Sequence, residues 1–155
     1  MERTQRVESL FLSTQTMIRA WKSYFAKVLE PENISLMQMG LLFHLGSLPR
    51  PATGRELGAV LHLSPSAAAQ LLDGLDGLGY IIRESAPQDK RIKYFSLSPA
   101  GTEKYAALKE KRNKFFANVT ATLSDEEVEA MTQLQEKMTR QITSMQSKNK
   151  GETCS

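Results

Sequence analysis

The chain has 155 residues, a length typical of one domain. It is 41% hydrophobic and 24% charged, a composition that excludes disordered, collagen-like and disulfide-scaffold chains. The formal net charge of +3 makes the chain only mildly basic. The basic side chains concentrate between residues 83 and 114, where nine basic and four acidic residues give a local net charge of +5.

The single cysteine, Cys154, cannot form an internal disulfide, which favours a reducing compartment, and we expect a cytoplasmic protein. Charged residues at positions 2, 3 and 6 interrupt the N-terminus, so no signal peptide is expected. No apolar run approaches the roughly 18 residues of a membrane-spanning helix, so no membrane partner is expected. The polar segment 147–155 is predicted to be a disordered tail.

The first half of the chain predicts four helices. Apolar residues spaced three and four apart predict a long helix over about 4–29. Ser35 with Gln38, and Thr53 with Glu56, each match the capping box that opens a helix. Ser64 followed by a proline predicts the start of a fourth helix, which ends at a glycine, residue 79.

The second half begins with a change of period. Residues 80–83 and 92–97 are β-branched and aromatic, and the polar turn between them predicts a β-hairpin with a charged tip. Ser98 and Ser124 then predict the starts of two further helices. The last helix carries an apolar stripe of six residues, Val128, Met131, Leu134, Met138, Ile142 and Met145.

This order of elements predicts a mainly α fold with a small β-hairpin wing (α+β), a winged helix-turn-helix. We expect one domain over 1–146, with a DNA-binding lobe at about 34–97 and dimerisation helices at about 4–29 and 99–146. The apolar stripes of those long helices exceed what one small domain can cover, so the sequence predicts a homodimer.

Short motifs in the lobe resemble those of MarR-type (multiple antibiotic resistance) regulators. They are Leu63-Ser64-Pro65-Ser66, Leu71-Leu72-Asp73-Gly74-Leu75, Gly79-Tyr80-Ile81-Ile82-Arg83, Pro87-Gln88-Asp89-Lys90-Arg91 and Leu97-Ser98-Pro99-Ala100-Gly101. The resemblance covers roughly residues 5–145. It implies a dimeric DNA-binding transcriptional regulator, a repressor whose ligand binds between the dimerisation helices and the winged domain.

In a winged helix-turn-helix the second short helix enters the major groove and the wing reaches a neighbouring minor groove. We therefore predict double-stranded DNA, in the form of a pseudo-palindromic operator, as the partner. Asp89 is predicted to hold the wing in place, and Arg91 at the wing tip suits a narrow minor groove. The predicted DNA contacts are Arg55, Ser64, Ser66, Ala67, Gln70, Arg83, Lys90, Arg91 and Lys93.

One feature departs from the family. Residues 56–82 contain no lysine or arginine, although phosphate neutralisation supplies much of the affinity of DNA-binding proteins. A second function therefore stays open: a protein-interaction or adaptor dimer on the same fold, with weak or lost DNA binding.

No catalytic or phosphate-binding motif occurs, so the sequence does not predict an enzyme. His44 and His62 are the only histidines, and no metal site and no cofactor are predicted. Met17, Trp21, Phe43 and His44 are candidates for a cleft that takes a small aromatic or other organic effector. The same residue types are more often ordinary core.

Overall fold

The computed structural model describes the backbone of residues 2–152 and the side chains of residues 2–147. Cys154 and the last part of the predicted tail lie outside the described residues. The helices are α1 Arg3–Leu29, α2 Leu36–Ser47, α3 Gly54–Val60, α4 Pro65–Gly77, α5 Pro99–Val119 and α6 Asp125–Glu152, and the strands are β1 Ala52–Thr53, β2 Ile81–Ser85 and β3 Lys93–Leu97.

The predicted fold class is confirmed: a mainly helical chain carries a small antiparallel sheet. The sheet has the order β1-β3-β2, and Phe95 of β3 pairs with Ala52 on one side and Arg83 on the other. The sequence did not predict β1. Two residues directly after a proline are too few to show an alternating pattern.

Side-chain caps begin the helices where the sequence predicted them. The hydroxyls of Ser35, Thr53 and Ser64 accept hydrogen bonds from the backbone N–H groups of Gln38, Glu56 and Ala67. A cap of this kind stabilises a helix by about 1 kcal/mol. The capped starts of α3 and α4 fix where the two helices of the helix-turn-helix begin.

The chain divides into two compact units, residues 1–109 and 110–155, with the boundary inside α5. The first unit contains the fully buried leucines, with Leu41 and Leu42 on α2, Leu57 on α3 and Leu75 on α4. Burying a leucine side chain stabilises a fold by about 1.5–3 kcal/mol. This core holds α3, α4 and the sheet together as one lobe.

The second unit contains α6, which differs from the prediction at its end. The helix extends to Glu152 rather than ending near 146, so it includes residues 147–152 of the segment predicted to be disordered. The first residues of that segment are Ser147, Lys148, Asn149 and Lys150. They contain no proline, the residue that most strongly disfavours a helix interior.

Candidate nucleic-acid interface

The outer face of α4 is the first part of the candidate interface. Ala68, Leu72 and Leu75 point into the core, so the opposite side of the helix is exposed. That side carries four exposed residues at helical spacing, Ser66, Ala69, Gln70 and Asp73. Ser64, the cap residue, is exposed at the start of the helix.

Ala67 does not belong to this exposed face. It is half-buried, and it lies seven residues before Gly74, hence on the same side of α4. A Cβ built at Gly74 would contact the Gln38 side chain of α2. Ala69 is the exposed alanine that the sequence analysis missed. Residues 67–69 are all alanine, so the sequence does not show which of them faces solvent. Only the burial of Ala68 and Leu72 in the structure identifies Ala69 as the exposed one.

Arg83 of β2, one of the predicted DNA contacts, is engaged within the lobe. Its guanidinium donates to the carboxylate of Asp73 and lies 3.8 Å from Asp76 Oδ2. The same group sits 5.3 Å from the centre of the Phe95 ring. Arg83 therefore joins β2 to α4 and balances part of the negative charge of the helix.

The wing tip holds Arg91 in a fixed position. The main-chain N–H of Arg91 donates to Asp89 Oδ1 (3.0 Å), and its guanidinium donates to both carboxylate oxygens at 3.1 and 3.3 Å. These bonds lower the pKa of Asp89, the side-chain bond more than the backbone bond. The Arg91 side chain is still 92% exposed, so the clamp presents the guanidinium to solvent. The predicted role of Asp89 in structuring the wing agrees with this geometry.

Two other cations of the wing differ in their surroundings. Lys93 is half-buried and donates to the Ser85 hydroxyl across the hairpin at 2.6 Å. Lys90 is exposed, and within residues 2–147 it has no ion pair or side-chain hydrogen bond. Lys90 is the freer of the two charges.

Near the start of α3, one arginine is paired and its neighbour is free. Arg50 donates to Glu56 Oε1 at 2.6 Å, and Glu56 Oε2 accepts from the Thr53 backbone N–H at 2.7 Å. The Arg50 bond first, and then the Thr53 bonds, lower the pKa of Glu56 to about 2. Arg55 is exposed on α3 and has no such partner within residues 2–147.

The helices α3 and α4, followed by a β-hairpin with the exposed Arg91 at its tip, form a winged helix-turn-helix. A comparison with known protein families agrees with this arrangement. Residues 32–92, which include α2 to α4 and the wing tip, match the model of the MarR family. This match spans the helix-turn-helix and the wing as far as its tip, and it covers less than half of the chain.

Solved structures of MarR proteins have the same fold. A MarR protein from Peptoclostridium difficile is 21% identical, with a TM-score of 0.77 over 86% of each chain. A MarR family transcription regulator is 21% identical, with a TM-score of 0.81 over 93% of this chain and 95% of that chain. MepR from S. aureus, in complex with DNA, is 22% identical, with a TM-score of 0.75 over 84% of this chain and 96% of that chain. These likenesses show that this chain has the fold of those MarR proteins.

The four candidate effector residues have different surroundings in this MarR fold. Met17 is exposed and lines an open groove along α1. Phe43 packs edge-on against Tyr105 with ring centres 5.5 Å apart, and Trp21 packs against Phe25 at 5.4 Å. His44 is half-buried on α2. Within the described residues, the buried Trp21 indole N–H has no hydrogen-bond partner, so it suits an acceptor group on a ligand.

The described part of the chain lacks two further kinds of feature. No helix among those residues combines the length and apolar character needed to cross a membrane. Among the same residues, no group of three or more histidine, cysteine and acidic side chains is placed to bind a metal ion.

Proposed function

We propose that this MarR-family chain is a sequence-specific DNA-binding transcriptional regulator, a binding protein and not an enzyme. The observation that carries the proposal is the wing tip, where Asp89 holds an almost fully exposed Arg91. An arginine in this position suits the negative potential of a narrow minor groove. The exposed face of α4 then enters the adjacent major groove, as in other winged helix-turn-helix proteins.

The proposed contacts fall into three groups. Ser66 and Gln70 face the bases, with Ser64 at the start of the helix. Arg91 enters the minor groove. Arg55, Lys90 and Lys93 contact phosphates, which position the protein without reading sequence. Ala67 and Arg83, both predicted contacts, are assigned internal roles, because Ala67 is half-buried and Arg83 is paired with Asp73.

We infer that the protein acts as a homodimer. Within α6, apolar residues at helical spacing are exposed, including Leu134 (62%), Ile142 (54%) and Met145 (58%). A continuous exposed apolar stripe of this kind marks an interaction surface. Two-fold pairing of copies presents two α4 helices to a pseudo-palindrome with half-sites about 10 bp apart.

The dimer has its own test. Leu134→Asp places a charge in the stripe, and Gln133→Asp places the same charge on the opposite, polar side of α6, where Gln133 donates to Glu129. We expect light scattering to give a dimer mass for the native chain and the Gln133 variant, and a monomer or an aggregate for the Leu134 variant. A native chain of monomer mass would remove this part of the proposal.

DNA binding is tested by gel shift on the DNA upstream of the protein's own gene, at several salt concentrations, followed by footprinting. We expect binding that weakens with salt and protection of two related half-sites.

A MarR-type repressor responds to a small organic effector, and the unpartnered Trp21 N–H, with Met17, Phe43 and His44 as further candidates, supports an effector that carries an acceptor group. Because the chromosome is the target, we infer action in the cytoplasm.

A second function is favoured by one specific observation. The exposed face of α4 ends in Asp73, and the nearest cation, Arg83, is occupied by that carboxylate. A lobe with so little free charge on its helix also suits an adaptor dimer that binds another protein. A chain that binds no DNA even at low salt, yet is a stable dimer, would favour this function over the first.

A further inference from the structure

The exposed face of α4 has a chemistry that points to particular bases. Ser66, Ala69 and Gln70 are neutral, and the side chains of Ser66 and Gln70 have no hydrogen-bond partner within residues 2–147. Because no lysine or arginine occurs between residues 56 and 82, α4 contains neither of the side chains that pair bidentately with guanine O6 and N7. The base-reading chemistry of this helix is therefore an amide, a hydroxyl and a methyl group.

Arg83, the cation paired with this face, is engaged within the protein. Its guanidinium donates to Asp73, approaches Asp76 and lies over the Phe95 ring. To read guanine, Arg83 would have to leave a carboxylate and an aromatic ring and would expose the charge of Asp73 and Asp76 to the phosphates. The pair keeps the face of α4 neutral or slightly acidic.

We propose that Gln70 is a specificity-determining residue that reads an adenine in each half-site, with Ala69 against the methyl group of a neighbouring thymine. A free primary amide donates to adenine N7 and accepts from adenine N6 in a bidentate pair, and an alanine methyl suits the thymine C5-methyl. Ala69 and Gln70 are consecutive, about 1.5 Å apart along the helix axis, so they reach the same or adjacent base pairs. The proposed ligand is a DNA duplex that has A·T pairs where α4 enters the major groove.

This inference rests on the proposed DNA binding and is tested by selecting the preferred sites from a random duplex library. The native chain should enrich one A·T pair at a fixed position in each half-site, with a replacement by G·C costing about 5- to 150-fold in affinity, the range for a bidentate contact. Gln70→Ala should lose the preference at that position and keep the rest of the motif. Gln70→Arg should change the preference there to guanine, because arginine pairs bidentately with guanine.

Lys90→Ala is the matched control, because a phosphate contact changes affinity on all sequences and leaves the motif unchanged. A native motif that Gln70→Ala and Gln70→Arg both leave intact would overturn the role of Gln70 while the DNA-binding function stands. A native motif with cytosine at this position, lost in Asp73→Ala, would also overturn it in favour of a carboxylate contact. A native chain that enriches no motif at all would overturn both the inference and the proposed function.

Discussion

Removing Arg91 is the sharpest test of the proposed DNA binding. The side chain is 92% exposed and packs against nothing that Arg91→Ala would leave empty. The fold should therefore keep its thermal stability, because exposed ion pairs contribute little to folding. Any loss of DNA affinity then reports on the contact with DNA and not on unfolding.

The expected loss follows from the geometry of the wing. The guanidinium uses two of its N–H groups on Asp89, which leaves three of its five donors for the minor groove and its phosphates. A good groove contact contributes about 1–3 kcal/mol, so the dissociation constant should rise about 5- to 150-fold. If Arg91 displaces one counterion, the slope of log K against log salt should become shallower by about 0.9.

Fluorescence anisotropy with a labelled operator, at four or more salt concentrations, measures both quantities. Arg140→Ala is the control, because Arg140 is also an exposed arginine next to a carboxylate (Glu136, 3.7 Å) but lies on α6. Asp89→Asn should give a smaller loss, since the amide oxygen still accepts the Arg91 N–H but no longer neutralises the guanidinium. Native affinity and slope in Arg91→Ala would refute the reasoning and make the wing an ordinary charged turn.

Three further predictions concern stability. Gly77→Ala should stabilise the chain by about 0.5–1 kcal/mol in urea unfolding, because a Cβ there meets nothing within 4 Å and alanine favours the helix; a destabilised variant would contradict this. Gly101→Ala should cost about 3 kcal/mol in the same assay, since its Cβ would overlap the carbonyl oxygen of Tyr80, and native stability would show that the two segments separate easily. The folded-state pKa of Glu56 is about 2, below its ordinary value of 4.5, so its pairing with Arg50 stabilises the fold above about pH 4.5 and is lost as pH falls towards 2. The difference in melting temperature between the native chain and Glu56→Gln should shrink over that range, and a constant difference would exclude this carboxylate as the cause.

The fold could be predicted in detail because its signals are local. Ser35, Thr53 and Ser64 each cap a helix through the backbone N–H three residues later, and such a contact is encoded within four residues of sequence. Gly79, predicted to end α4, has a φ of +74°, in the left-handed region that glycine favours. The missed strand β1 depends on a partner more than forty residues away, and nothing in its own two residues predicts it.

The candidate site could be predicted less well, because it depends on contacts between residues on different elements of the fold. Arg83 has the charge and position of a DNA contact in the sequence, and only the packing of β2 beside α4 shows that it pairs with Asp73 ten residues earlier. Asp89 and Arg91 lie within one turn, so the Asp89 carboxylate reaches the Arg91 backbone and side chain through contacts that two neighbouring residues encode. Their contact with DNA stays a prediction.

The distribution of free charge explains why the wing carries so much of the proposed binding. Arg50 and Arg83 are each paired with a carboxylate inside the lobe, so they neutralise protein charge and not phosphate. The cations left in the lobe's candidate interface are Arg55 on α3, the wing residues Lys90 and Lys93, and Arg91, whose side chain is 92% exposed although it is hydrogen-bonded to Asp89. Because these few charges supply the electrostatic attraction in the proposed function, affinity on any DNA should be modest, and discrimination between sequences should depend on the neutral face of α4. In the proposed function, most of the attraction therefore comes from the wing and most of the base recognition from the helix.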